Sequence, residues 1–166
     1  YASFLALLLF AVSDGFAAAR VCTWNGGDAG EDWLTAANWD GNDDPEDGDS
    51  ILLDSIASTT MPTNNNLDGS SDSVTSLQLG SSVLTGGWSC NGATTLIISS
   101  STGIDSRNTS GINTLNFPIS MGTGMTFKIA TGGTLNFGTS ATVANGANLL
   151  TCNTVGTGSM TIAGII

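Results

Sequence analysis

The sequence predicts an all-β chain wound as a right-handed parallel β-helix, a solenoid, with a tryptophan-rich cap at its N-terminus. Three observations predict it. The first is composition: 166 residues include 22 Gly, 40% hydrophobic residues and few charges, and much of the remainder is Ser, Thr and Asn. That mixture is poor helix material but suits short strands joined by many turns. The second is an internal repeat: "VTSLQL" (74–79), "ATTLII" (93–98), "INTLNF" (112–117) and "GGTLNF" (132–137) align on Leu77, Leu96, Leu115 and Leu135. The leucines follow one another at a nearly even step of roughly 20 residues. The third is alternation: Leu115, Phe117, Ile119 and Met121 share one parity, and Met125, Phe127 and Ile129 continue the pattern. A period of two places one side of a strand in a core and the other in water.

An even step with several short strands per step describes coils of about 19–20 residues stacked about 4.8 Å apart. An antiparallel sandwich has a similar composition, yet gives no reason for so even a step. Handedness follows from the general right-handed bias of parallel crossovers. Inward positions Leu77, Leu96, Leu115, Phe117, Leu135 and Phe137 form the expected repeat core, and Pro118, which cannot donate to a ladder, marks a corner.

From its start the chain divides into three expected segments. Residues 1–19, "YASFLALLLFAVSDGFAAA", contain an apolar run from Phe4 to Val12, shorter than the roughly 20 residues that cross a bilayer. With small residues at Ala17–Ala19 it reads as a signal peptide lacking its basic beginning, hence export. Residues 20–66 are the expected cap and first strands, the first placed at "SILLD" (50–54). Residues 67–166 are the coils, and the apolar "GII" at 164–166 suggests that they continue. The three cysteines, Cys22, Cys90 and Cys152, allow at most one internal disulfide and have no metal-site spacing.

Charge excludes whole function classes. Arg20, Arg107 and Lys128 are the sole cations against 14 acids, a net charge of −11. Such a chain repels nucleic acid and anionic membranes. The sequence has no His, so Ser-His-Asp and Cys-His nucleophile systems are absent. "GIDSRNTSG", with Asp105 and Arg107, reads as an ordinary polar loop.

The acids crowd "NWDGNDDPEDGDS" (38–50), at Asp40, Asp43, Asp44, Glu46, Asp47 and Asp49. As an EF-hand loop from Asp40 the stretch fails: its sixth place is Pro45 where Gly is needed, and its twelfth is Ile51 where Glu is needed. A looser calcium site remains the one cofactor candidate, because a divalent cation would relieve repulsion among six carboxylates. A glycosidase pair needs carboxylates facing each other on rigid elements, whereas these sit on a Gly/Pro loop. The remaining reading is a solvated acidic turn.

The block "TWNGGDAGEDWLTAANWDGNDDPEDGDSILLD" (23–54) resembles the N-terminal segment of bacterial exported proteins of the autotransporter-associated β-strand repeat type, many of which carry PEP-type sorting tails. Thr23, Trp24, Gly26, Gly27, Trp33, Ala36, Ala37, Asn38, Trp39, Pro45, Gly48, Asp49 and Asp54 carry the likeness, and 125–166 resembles that family's coils. The resemblance implies a right-handed β-helix at the cell surface or outside the cell, with no catalytic residues to carry over. Trp24, Trp33 and Trp39, with Asn38 and Pro45, would then cap the first coil, and sugar stacking is the rival use of the same rings. The expected function is an exported structural or adhesive solenoid, not an enzyme in this segment, meeting extracellular glycans or matrix through its Ser/Thr/Asn surface. The alternative is a β-helical carbohydrate-active enzyme or binding module whose working coils lie beyond residue 166.

Overall fold

The computed structural model describes residues 19–26, 32–54, 73–82 and 87–163; most of the expected signal peptide, Gly27 and the final "GII" lie outside them. Twelve strands follow in order: β1 (Val21–Thr23), β2 (Ser50–Leu53), β3 (Ser73–Leu79), β4 (Ser89–Asn91), β5 (Leu96–Ser106), β6 (Ile112–Asn116), β7 (Ile119–Met121), β8 (Met125–Ile129), β9 (Thr134–Phe137), β10 (Val143–Ala144), β11 (Leu150–Thr154) and β12 (Ser159–Ile162). The sole helical element among the described residues is a short 3-10 turn, Ala36–Asn38.

Every strand pair among the described residues is parallel, and the chain forms a β-solenoid of about five turns. Its strands lie on three faces. Face one stacks β1, β2, the end of β3, the end of β5, β8 and β11. Face two stacks the starts of β3 and β5 with β7 and β10. Face three stacks β4, β6, β9 and β12.

The interior is built from ladders of inward side chains. On face one Cys22, Ile51, Leu77, Ile104 and Phe127 follow each other in register, each 6% exposed or less. Cys90, Leu115 and Phe137 do the same on face three. Phe127 stacks on Phe137 across the interior, centroids 5.2 Å apart. No coil buries its own apolar side, so each ladder depends on the rungs above and below.

The coil is longer than the sequence repeat suggests. Register partners on face one run Cys22, Ile51, Leu77, Ile104, Phe127 and Cys152. One coil therefore takes roughly 23–29 residues in place of the expected step of about 19–20. The four aligned leucines do not stack. Leu77 lies against Ile104 on face one and Leu96 against Ile119 on face two, while on face three Leu115 lies against Phe137 and Leu135 against Asn113. A step shorter than the coil walks backwards round the cross-section. The Ser/Thr-Leu motif thus marks a strand with an inward leucine on any face, not one position of a coil. All six expected core residues are buried.

The first strand is β1, ahead of the expected 50–54, and the C-terminal end of its edge is covered. Trp24 forms an antiparallel bridge with Trp39, while the amide of Asp40 donates to the carbonyl of Thr23 (2.9 Å) and that of Asn25 to Asn38 (2.8 Å). This clip occupies backbone groups that would otherwise offer a pairing template. At the other end β11 and β12 form the last described rungs. There Leu150, Met160 and Ile162 are only partly buried and Cys152 is exposed.

Candidate functional site

The acidic stretch organises itself around one cation. Arg20 lies just before β1 and Asp49 just before β2, at matching positions of neighbouring rungs, and the amide of Ser50 donates to the carbonyl of Arg20 (2.8 Å). Asp49 is 3% exposed. Its carboxylate accepts from the Arg20 amide (2.7 Å), Arg20 Nε (3.0 Å), Arg20 Nη2 (2.7 Å), the Glu46 amide (3.0 Å) and the Cys22 thiol (3.3 Å). Burial alone would raise the Asp49 pKa. The Arg20 side chain and the backbone donors reverse this and hold it down to about 2. The Cys22 thiol, desolvated and donating to Asp49, is pushed up to about 12. It is an inert structural thiol rather than a nucleophile.

The other five acids fan out from this clamp. Asp43 pairs with Arg20, the carbonyl of Asp44 accepts from Arg20 Nη2 (3.0 Å), and Glu46 reaches to 4.0 Å of it. Asp47 accepts from the Ser73 amide (2.9 Å), and Asp40 from Asn25 Nδ2 (3.2 Å). Among the described residues no three His, Cys, Asp or Glu side chains gather as metal ligands. The stretch acts as a tie that fastens the first turn to β1, β2 and β3. Sequence reading missed the role of Arg20, because a partner so distant along the chain is visible only once the register of β1 and β2 is known.

The tryptophans are internal. Trp24, Trp33 and Trp39 are each 0% exposed. Trp39 meets Trp24 and Trp33 edge to face, centroids 5.1 and 5.8 Å apart, and Trp33 meets Phe117 at 6.4 Å. Trp39 Nε1 donates to the carbonyl of Trp33 (2.8 Å). The buried Asn38 donates from Nδ2 to the carbonyl of Asp32 (3.2 Å), and Pro45 is buried beside the clamp. Rings packed on all sides offer no platform to a sugar.

Outward residues also stack in register. On face one Thr23, Leu52, Gln78, Asp105, Lys128 and Asn153 form one outer ladder, with Ser50 and Ser76 in the next. Asp105 is therefore on β5, not in a loop: the inward Ile104 and Ser106 flank it, and the alternation turns its carboxylate out. Arg107 follows, with Nε 2.9 Å from Asp105. A shallow groove of about 220 Å³ runs over these rungs, lined by Val21, Leu52, Ser76, Gln78, Asp105 and Arg107 among others. Face three differs. Its outer ladder of Ser89, Thr114, Asn136 and Thr161 carries no charge, and Thr134 and Ser159 share a hydroxyl hydrogen bond (2.9 Å).

Compared with family models, curated proteins and solved structures, the chain matches none. Among the described residues no helix is long and apolar enough to cross a membrane.

Proposed function

We propose that this chain is an exported structural or adhesive solenoid of the autotransporter-associated repeat type, which meets extracellular glycans or matrix through its outer faces. The β-solenoid fold fits a structural or adhesive repeat protein. The observation that carries the reading is the uncharged outer ladder of face three, where hydroxyls and amides recur at every rung. Such a surface offers donors and acceptors about 4.8 Å apart, each worth little alone and additive along a polymer.

Two further observations support a non-catalytic role for this segment. The best-held carboxylate, Asp49, is fully committed to Arg20 and backbone donors, with its pKa lowered rather than raised as a general acid requires. Asp105 is engaged by Arg107. Export is supported by the apolar run and small-residue site of residues 1–19.

A glycan and matrix-protein array probed with the purified chain tests the adhesive reading. Weak binding to polysaccharides, strengthened when the chain is presented multivalently, is expected; no binding in the multivalent format would overturn it. Fusing residues 1–19, completed with a basic start, to a secreted reporter tests export, and retention of the reporter inside the cell would overturn that part.

A further inference from the structure

We propose that the groove on face one is a binding site for a neutral saccharide with adjacent hydroxyls, taking one sugar unit of a longer polymer. The proposal rests on the adhesive reading and adds to the face-three ladder a second, discrete site with a stated ligand class. Four features of the groove carry it.

The first is the Asp105–Arg107 pair. Arg107 spends Nε on Asp105 (2.9 Å), and 53% of its side-chain surface is exposed against 19% for Asp105. A guanidinium bound through Nε carries two terminal amino groups spaced to donate to two neighbouring oxygens. Asp105, still able to accept, lies beside it. A donor fork next to an acceptor matches a pair of adjacent hydroxyls, each of which both donates and accepts.

The second is the polar floor. Ser76 donates to Ser50 (3.2 Å), and Gln78 Nε2 donates to the carbonyl of Gly80 (3.3 Å), so the Gln78 amide is held in one orientation. Preorganised polar groups cost less to order when a ligand arrives. The third is an apolar strip: Val21, 67% exposed, and the half-buried Leu52 border the same groove. Aliphatic groups of this kind cover the C–H face of a sugar ring. At about 220 Å³ the space falls below the ~300–1,000 Å³ of drug-sized pockets, which limits the occupant to one unit.

The fourth is charge, which selects neutral over acidic sugars. The charged residues that line the groove are one acid and one base, Asp105 and Arg107, and Lys128, which follows Asp105 in register one rung on, lies outside that lining. The groove is thus locally neutral within a chain of net charge −11, whose field repels polyanions.

The test is affinity electrophoresis of the full chain through gels containing dextran, mannan, a soluble β-glucan or alginate, with thermal melts to confirm folding of each variant. Retardation by at least one neutral polymer is expected, with little by alginate. Arg107→Ala and Gln78→Ala should each weaken it about fivefold or more, Arg107→Lys should retain part of it, and Ser120→Ala, on β7 of face two and outside both the groove and the face-three ladder, should leave it unchanged. Retardation by alginate alone would overturn the proposal. If a neutral polymer retards the wild type and the groove variants equally, the groove is wrong while the adhesive reading stands. If no polymer retards the wild type, the groove falls, and the glycan and matrix array decides separately whether the adhesive reading falls with it.

Discussion

Arg20 and Asp49, far apart in the chain, share three hydrogen bonds, the Arg20 amide, Nε and Nη2 all donating to one carboxylate at 2.7–3.0 Å. The backbone contact fixes where Arg20 lies on its rung, and the two side-chain contacts fix the guanidinium's orientation. An arginine bound on two nitrogens is geometrically specific in a way that lysine is not. This clamp secures β1, an end rung whose one strand neighbour among the described residues is β2.

Removing one partner should destabilise the fold more than the pair's net worth suggests. Asp49→Ala leaves the Glu46 amide and the Cys22 thiol without this acceptor and strips Arg20 of three hydrogen bonds, its contacts to Asp43 and the Asp44 carbonyl remaining. A broken buried ion pair costs about 3–5 kcal/mol, and because Arg20 is about a third exposed a loss of about 2–3 kcal/mol is expected. Urea titration measures it. A change no larger than that of an ordinary surface substitution, about 0.5 kcal/mol, would show that the first turn is held by the tryptophans alone.

Acid should loosen the same turn. The folded state keeps Asp49 ionised down to about pH 2, whereas its ordinary pKa is 3.8. Between these values the unfolded chain binds a proton that the folded chain does not, so stability falls as pH falls. The contribution, about 2 kcal/mol, is fully present above about pH 4 and lost by about pH 2. Thermal melts from pH 6 to 2 should show that loss in the wild type and a shallower decline in Asp49→Asn.

Gly80 and Gly41 both have positive φ, +70° and +86°, yet only Gly80 is crowded. A Cβ there would lie 1.4 Å from Asn108 Oδ1, while one on Gly41 meets nothing within 4 Å. Asn108 is buried and donates to Asn113, whose side chain also binds Ser106 and the Trp88 amide. Gly41→Ala should cost about 1 kcal/mol from backbone strain alone. Gly80→Ala should cost roughly 2–4 kcal/mol, because it also disrupts a buried polar network. Equal melting temperatures for the two variants would contradict that packing.

Calcium removal should leave stability unchanged. Asp43, Glu46 and Asp49 already face Arg20, and Asp47 and Asp40 accept from Ser73 and Asn25. The repulsion that invites a cation is thus relieved within the chain. Melting with excess chelator and again with millimolar calcium should give the same temperature. A drop of several degrees on chelation would instead restore a metal role to the acidic stretch.

The strand alternation was legible because it is local. From Leu115 to Ile129 each inward residue follows from its neighbours two positions away, and Pro118 falls between β6 and β7 as its missing amide requires. The coil length was not legible, because the Ser/Thr-Leu motif serves strands on all three faces and its even spacing reports strand-plus-corner length. The clamp and the outer ladder of face one were hidden for a related reason. Arg20 with Asp49, and Asp105 with Lys128, are neighbours through register, and register depends on corner lengths that composition does not encode.

Those corners differ markedly between turns. In the pairing of β3 with β5, Thr75 alone stands opposite the stretch Ser99–Thr102, and register holds on both sides of the mismatch. The scaffold therefore separates strand from corner: rungs demand fixed spacing, while the bends between them absorb inserted residues. That makes the bend at 99–102 a natural graft point, where a foreign epitope could be spliced into the chain and carried on a rigid rod without redesigning the rungs beneath it.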